Sequence, residues 1–152
     1  MILTVGNKCH SIIVDDDFSV PDGWTLRVDG KGYAELYISN KAGVFKSMRL
    51  HRYITNAVDG MEVDHINNNP LDNRKTNLRP ATRNENGMNR RKQSNNTSGF
   101  KGVSYSERLK KWQVHICINQ KTTYLGLFNC PTSGWFAYCK AAKKLHGDYC
   151  KV

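Results

Sequence analysis

Short apolar runs broken by turn residues fill the first third of the chain. Ser11 to Val14, Thr25 to Val28, Tyr33 to Ser39 and Val44 to Arg49 are rich in β-branched and aromatic residues; Pro21-Asp22-Gly23, Asp29-Gly30-Lys31-Gly32 and Asn40-Lys41-Ala42-Gly43 separate them. This pattern predicts a small antiparallel sheet. Leu50 to Thr55 fits a short helix or strand leading to a turn at Asp59-Gly60. Met61 to His65 reads as a brief strand that delivers Asp64 and His65 to a polar loop. Leu78-Arg79 reads as the returning strand, ended by Pro80, which has no amide hydrogen to donate. Thr82 with Glu85 three residues on forms a capping box, so a helix is expected to start there with Asn86 in its first turn. Gly87 is a poor helix former, and the prediction rests on the cap.

The last third alternates with a period of two. Trp112, Val114, Ile116 and Ile118 fall on one face, and Gln113, His115 and Cys117 on the other. Asn119-Gln120 fits a hairpin turn, and in Thr122 to Phe128 the alternation sends Leu125 and Leu127 to the core and Thr122 and Tyr124 outward. From Thr132 to Leu145 the residues Trp135, Phe136, Cys139, Ala142 and Leu145 recur at helical spacing, which predicts one helix lying across this sheet. Between the two regions, Arg90 to Gly99 is polar, basic and without apolar periodicity, as expected of a linker.

Charge changes the picture. The 152 residues carry 23 Lys and Arg against 13 Asp and Glu, a net charge of +10. Residues 1–48 hold 5 basic against 6 acidic, residues 49–100 hold 9 against 5, and residues 101–152 hold 9 against 2, so the excess lies in the last two thirds. A basic surface attracts a polyanion. No apolar run reaches membrane-spanning length and no Lys-rich amphipathic helix carries a continuous apolar face, so nucleic acid is favoured over a membrane. The five cysteines are scattered and include no C-x-x-C pair, which argues against a disulfide framework or a structural zinc. No secretory signal pattern is seen, so a cytoplasmic location, in a bacterium or a phage-infected host cell, is expected. Asp15-Asp16-Asp17 lacks the later Gly and Glu of a calcium loop and reads as an exposed acidic turn.

The stretch DHINNNPLDNRKTNLRPATRNENGMNRR, Asp64 to Arg91, carries the candidate chemistry. A hydrolytic phosphodiesterase needs a base for water and hard oxygen ligands for a cation that neutralises the phosphate. His65 suits the first role and Asp64 and Asn86 the second. With Asn77 twelve residues after His65 and Asn86 nine further on, the segment from about Leu50 to Arg90 resembles the HNH endonuclease family, in its phage and intron-encoded form with Asp-His first and Asn last. The resemblance implies a ββα-metal site in which His65 is the general base, Asp64 and Asn86 are metal ligands, and Asn77 fixes the loop and the histidine's orientation. Asn86 stands where the family often has histidine; a carboxylate and an amide oxygen make a hard site, so Mg²⁺ or Mn²⁺ is expected. Arg79 either reaches a phosphate or is a surface strand arginine, and His51 and Arg52 either contact DNA or are structural.

Residues from about Ser98 to Tyr149 resemble the Apetala or ethylene-response-factor type of DNA-binding domain, through SGFKGVSY, KKWQVHICI, YLGLF and AAKKLHGDY. That resemblance implies a three-stranded antiparallel sheet packed on one helix, its open face in the DNA major groove. Lys101, Ser104, Ser106, His115, Cys117, Thr122 and Tyr124 match the family's contacting positions. That face is poor in Arg, so it either reads a different sequence or holds phosphates non-specifically through Lys101, Lys110 and Lys111. Arg90, Arg91 and Lys92 read as a phosphate-tracking strap.

The expectation is therefore an α+β protein: N-terminal antiparallel strands (1–49), a ββα-metal nuclease core (50–90), a basic linker (91–98) and a DNA-binding sheet and helix (99–152). It would act on double-stranded DNA as a monomer or weak dimer, as a strand-nicking endonuclease of the homing type. The rival reading is a non-catalytic, sequence-specific DNA-binding regulator with a degenerate nuclease core.

Overall fold

A computed structural model describes residues 1–7, 9–39, 43 and 45–150, with Asp148 through its backbone alone. Val44, at the start of the last predicted N-terminal strand, and Asn40 to Ala42 of the predicted turn lie outside the described residues. The fold is mixed α+β with antiparallel sheets, and the chain divides into two compact units, Met1–Thr82 and Arg83–Val152.

In the first unit, β1 (Ile2–Val5) pairs antiparallel with β2 (His10–Ile13), placing Leu3 opposite Ile12. The strand β1 was not predicted: four residues before Gly6 are too short a window for alternation to register. A separate sheet joins β3 (Thr25–Val28), β4 (Ala34–Ser39) and β5 (Phe45–Arg49) in that order, so the predicted single sheet is two. Leu26 faces Leu36 and Val28 faces Ala34 across the β3–β4 pair. The chain turns directly from β5 into α1 (Leu50–Thr55), which stops at Asn56 in a left-handed conformation, φ 46°.

The next hairpin carries the predicted site. β6 (Glu62–His65) and β7 (Leu78–Ala81) pair in the register Glu62 to Ala81 and His65 to Leu78. Pro80 does not end β7; it sits opposite Val63, tolerated because a two-stranded ribbon has no central strand. Between them the loop returns through a 3₁₀ turn at Lys75–Asn77.

The N-terminal sheets dock on this loop. Ile13 forms an isolated parallel bridge with Asp72; its N–H donates to the Leu71 carbonyl at 2.8 Å and its carbonyl accepts from the Asn73 N–H at 2.7 Å. Ile12, Val14, Leu26, Ala34, Leu36 and Leu50 are buried together, with Leu71 packed against them. The acidic turn adds two ties, because Asp15 accepts from the Lys75 N–H at 2.7 Å and Asp17 pairs with the Lys75 ammonium at 2.8 Å. Leu71 of the hairpin loop thus joins the core of the N-terminal strands and α1.

The second unit opens with α2 (Arg83–Asn89), which begins one residue after Thr82 as predicted and continues through Gly87. The strands β8 (Val103–Ser106), β9 (Lys111–Ile118) and β10 (Lys121–Phe128) form an antiparallel sheet with β9 central, packed on α3 (Pro131–His146). Asn119 and Gln120, with φ of 48° and 64°, make the predicted turn; positive φ at both central positions suits the twist of a tight hairpin. A bulge between Tyr124 and Gly126 then shifts the alternation. Leu125 still packs on the core, but Phe128 takes the place predicted for Leu127, which pairs with Gln113 on the open face and is exposed.

The inward stripe of α3 also differs from prediction. Gly134, Tyr138, Ala142 and His146 are buried, whereas Phe136 is 69% exposed and Leu145 is exposed. Gly134 sets this rotation: a Cβ there would lie 2.9 Å from the Val114 side chain, so glycine lets the helix approach the sheet. Cys130 caps the helix, its sulfur accepting from the Ser133 N–H.

Candidate active site

Strand β6 brings Asp64 and His65 to its end, where both are buried, 3% and 7% exposed. Opposite Asp64 in the ribbon stands Arg79, and the register is why they meet. Arg79 Nε and Nη2 donate to Asp64 Oδ2 at 2.9 and 2.8 Å. Of the two alternatives left by the sequence for Arg79, neither anticipated this: the guanidinium orients the carboxylate beside the candidate base. A charged pair this well buried holds its rotamers tightly, because either partner alone would be an uncompensated charge.

Asn77 pins the loop. Its Nδ2 donates to the Asp72 carbonyl at 2.7 Å and to Asn67 Oδ1 at 3.1 Å, its Oδ1 accepts from the Asn67 N–H at 3.0 Å, and its carbonyl accepts from the Ile66 N–H. Asp72, 1% exposed, is held in turn by Asn67 and by Arg74, whose guanidinium keeps the carboxyl below the usual carboxylate range. The closed loop therefore presents a fixed strand end rather than a mobile excursion.

The imidazole of His65 has neighbours that the sequence did not single out for this role. Asn73, fully buried, places Oδ1 3.5 Å from His65 Nε2. His51 of α1 meets the His65 ring edge-on, with centroids 5.0 Å apart, and Tyr33 of the β3–β4 turn lies 6.1 Å away. Burial pushes the His65 pKa below 6.5, against the opposing pull of the Asn73 contact and of Asp64 and Asp72. Burial drives His51 down to about 3, with His65, when it is protonated, and the Arg49 and Arg52 charges pushing the same way. Both rings are neutral near pH 7, and an unprotonated His65 is in the form that accepts a proton. Arg52 bonds the Met61 and Ala57 carbonyls and so ties α1 to the approach of β6.

Asn86 is the fourth residue of α2 and belongs to the second unit. Asp64 in the first unit and Asn86 in the second each carry a hard oxygen donor, a carboxylate and an amide, of the kind that Mg²⁺ or Mn²⁺ takes. Among the described residues no three His, Cys, Asp or Glu side chains converge as a metal group.

Residues 50–88, from the start of α1 into α2, match the HNH endonuclease family. Protein 3.8 of Escherichia phage T7 is 36% identical over 82 residues, which cover 51% of this chain and 68% of that protein. The chain belongs to the HNH endonuclease family. No solved structure matches it. The HNH segment contains Asp64, His65, Asn77, Arg79 and Asn86, and DNA is the substrate class that the family implies.

The remaining residues predicted to touch DNA lie outside the HNH segment, in the second unit. Arg90, Arg91 and Lys92 line a cleft of about 340 Å³ with His115 and Cys117 of the sheet's open face. At the end of the segment read as a linker, Asn96 Nδ2 donates to the Phe100 carbonyl, and Ser98 Oγ bonds the Phe100 and Val103 carbonyls. His115 and Tyr124 are cross-strand neighbours with rings 5.3 Å apart, beside the Thr122–Cys117 pair. Ser104 is exposed, but Ser106 is buried and accepts from the Leu109 N–H. Lys101 is half-buried, donates to the Met88 carbonyl at 2.6 Å, and has its pKa lowered by that burial. Lys110 pairs with Glu107, and Lys111 is exposed.

Proposed function

We propose that this protein is a metal-dependent endonuclease of the homing type that hydrolyses one phosphodiester bond in double-stranded DNA, with His65 as general base. The observation that carries this reading is the placement of His65: a buried imidazole at a strand end, beside a carboxylate oriented by Arg79, within a loop tied shut by Asn77.

His65 accepts a proton from water as the water oxygen attacks phosphorus, and the bond from phosphorus to the 3′ oxygen breaks. The leaving oxygen takes a proton from solvent. Asp64 and Asn86 would hold Mg²⁺ or Mn²⁺, which when bound supplies positive charge to the phosphate and the departing oxygen. Arg79 keeps Asp64 in one orientation, and Asn77 keeps the strand end from moving away from the substrate.

Binding is assigned to the second unit. Its open face, with Ser104, His115, Cys117, Thr122 and Tyr124, and the basic run Arg90 to Lys92 would hold the duplex, with Lys111 on a phosphate. One such site per chain cuts one strand, so a single chain nicks.

Supercoiled DNA from the host tests the reading. Mg²⁺ or Mn²⁺ should produce open circles with 3′-hydroxyl and 5′-phosphate ends, and a chelator should stop the reaction. Tight binding with no nicking of a randomised-site library would instead favour a regulator.

A further inference from the structure

Tyr33 packs beside the strand-end histidine, and the same ring carries the guanidinium of Arg49. We propose that Arg49 is a substrate-binding residue whose guanidinium grips the backbone phosphate next to the one attacked at His65. This rests on the reading of His65 as the base.

The ring of Tyr33 is the link. Its centre lies 4.2 Å from the Arg49 guanidinium carbon, 5.7 Å from the centre of the His51 ring and 6.1 Å from that of His65. One aromatic ring therefore stands between a permanent positive charge and the candidate base. That interval suits a cation that holds the strand beside the reaction without taking part in it.

The neighbouring cations of the first unit already have close partners. Arg79 donates to Asp64 at 2.8 Å, Arg74 to Asp72 at 2.7 Å, Lys75 to Asp17 at 2.8 Å and Arg52 to the Met61 carbonyl at 2.8 Å. Arg49 is held differently. Its closest approach to Asp29 is 3.6 Å, through Nε, an ion contact too long for a hydrogen bond. Asp29 is fixed in turn, because its Oδ1 accepts from the Lys31 and Tyr33 N–H groups at 2.8 and 2.9 Å. With its face on Tyr33 and Nε toward Asp29, the guanidinium turns its Nη edge to neither. That edge carries paired N–H donors, which match two phosphate oxygens at once. A weakly hydrated guanidinium stacks readily on an aromatic face, and the stack aims the fork. The Arg49 side chain is 37% exposed and stands at the end of β5, opposite Glu35 and directly before α1, so strand pairing and the helix start fix its backbone.

Arg27 is the internal contrast. It lies opposite Glu35 from the other strand, and its guanidinium carbon is 3.7 Å from the centre of the Tyr37 ring. Its Nε and Nη2 both meet Glu35 at 2.9 Å, so its fork is closed by a carboxylate.

The test is DNA binding by the full-length protein across a salt series, on supercoiled host DNA with chelator present so that nothing is cut, for wild type, Arg49→Gln, Arg49→Lys and Arg27→Gln. Arg49→Gln should reduce the slope of log affinity against log salt by about 0.9, one phosphate no longer neutralised, whereas Arg49→Lys and Arg27→Gln should keep the wild-type slope. In Mg²⁺, Arg49→Gln should raise the KM for nicking about tenfold with kcat unchanged. A wild-type slope in Arg49→Gln, or an equal loss in Arg27→Gln, overturns the proposal. Should Arg49→Gln fail to fold, the guanidinium ¹⁵N resonances of the wild type decide: added duplex DNA should shift that of Arg49 and leave that of Arg27, and an unmoved Arg49 resonance overturns the contact. The binding series needs no cleavage, so it judges Arg49 separately from the base. Nicking by His65→Ala at the wild-type rate overturns the reading of His65 and leaves the phosphate contact to be judged by its slope.

Discussion

Asp64 is held by a guanidinium, and that single pairing has consequences for stability and for metal binding. Removing one partner of a buried ion pair costs about 3–5 kcal/mol, because the other charge stays buried alone. Arg79→Ala should therefore lower the melting temperature, and Mg²⁺ should restore more of it in the variant than in wild type, since a cation can then answer Asp64. Thermal denaturation with and without Mg²⁺ reads both effects; equal Mg²⁺ shifts in the two proteins would remove Asp64 as a ligand. His51 supplies a second prediction. It titrates near 6.5 when unfolded and at about 3 when folded, so between those values the unfolded chain binds a proton that the folded chain does not. Stability is then fully present above pH 6.5 and falls by about 1.4 kcal/mol per unit as pH drops toward 3. Urea denaturation at several pH values should show this slope, shallower in His51→Phe. The elements that carry the four motif residues were legible in the sequence, because a hairpin and a helix start set their spacing. Arg79 as the partner of Asp64, and Asn73 and His51 around His65, were not, because each depends on cross-strand register or on packing between segments that spacing does not encode.

Elements followed the sequence where one physical signal governed them. The Asn119-Gln120 hairpin, α3 and the strand leading to Asp64-His65 came from alternation, turn residues and helical periodicity. They departed from it where one residue changes the phase: the bulge before Gly126 exchanged Leu127 for Phe128, and Gly134 rotated α3 so that Phe136 faces outward. Gly102 is a similar pivot. Its φ is +76°, and a Cβ there would meet the Tyr138 ring and the His115 carbonyl. Gly102→Ala should destabilise the second unit by about 1–3 kcal/mol from overpacking alone, with strain at positive φ added. Denaturation followed by Trp fluorescence would measure it; a change below about 0.5 kcal/mol, the ordinary scale for surface sites, would contradict this packing.

For the whole molecule the governing quantities are the net charge of +10 and the division into two units, one bearing Asp64 and His65 and the other Asn86 and the basic cleft. Neutralised phosphates release counterions, so DNA affinity should fall steeply with salt. Replacing Arg90 and Arg91 by Ala should reduce the slope of log affinity against log salt by about 0.9 for each phosphate that is no longer neutralised. An unchanged slope would assign phosphate neutralisation to other residues. The central claim is that His65 performs the chemistry without being needed for binding. The most direct measurement compares wild type and His65→Ala on supercoiled host DNA in Mg²⁺, at concentrations where both are shown to bind equally. The account predicts open circles from wild type and none from His65→Ala; open circles at the same rate from both would contradict it.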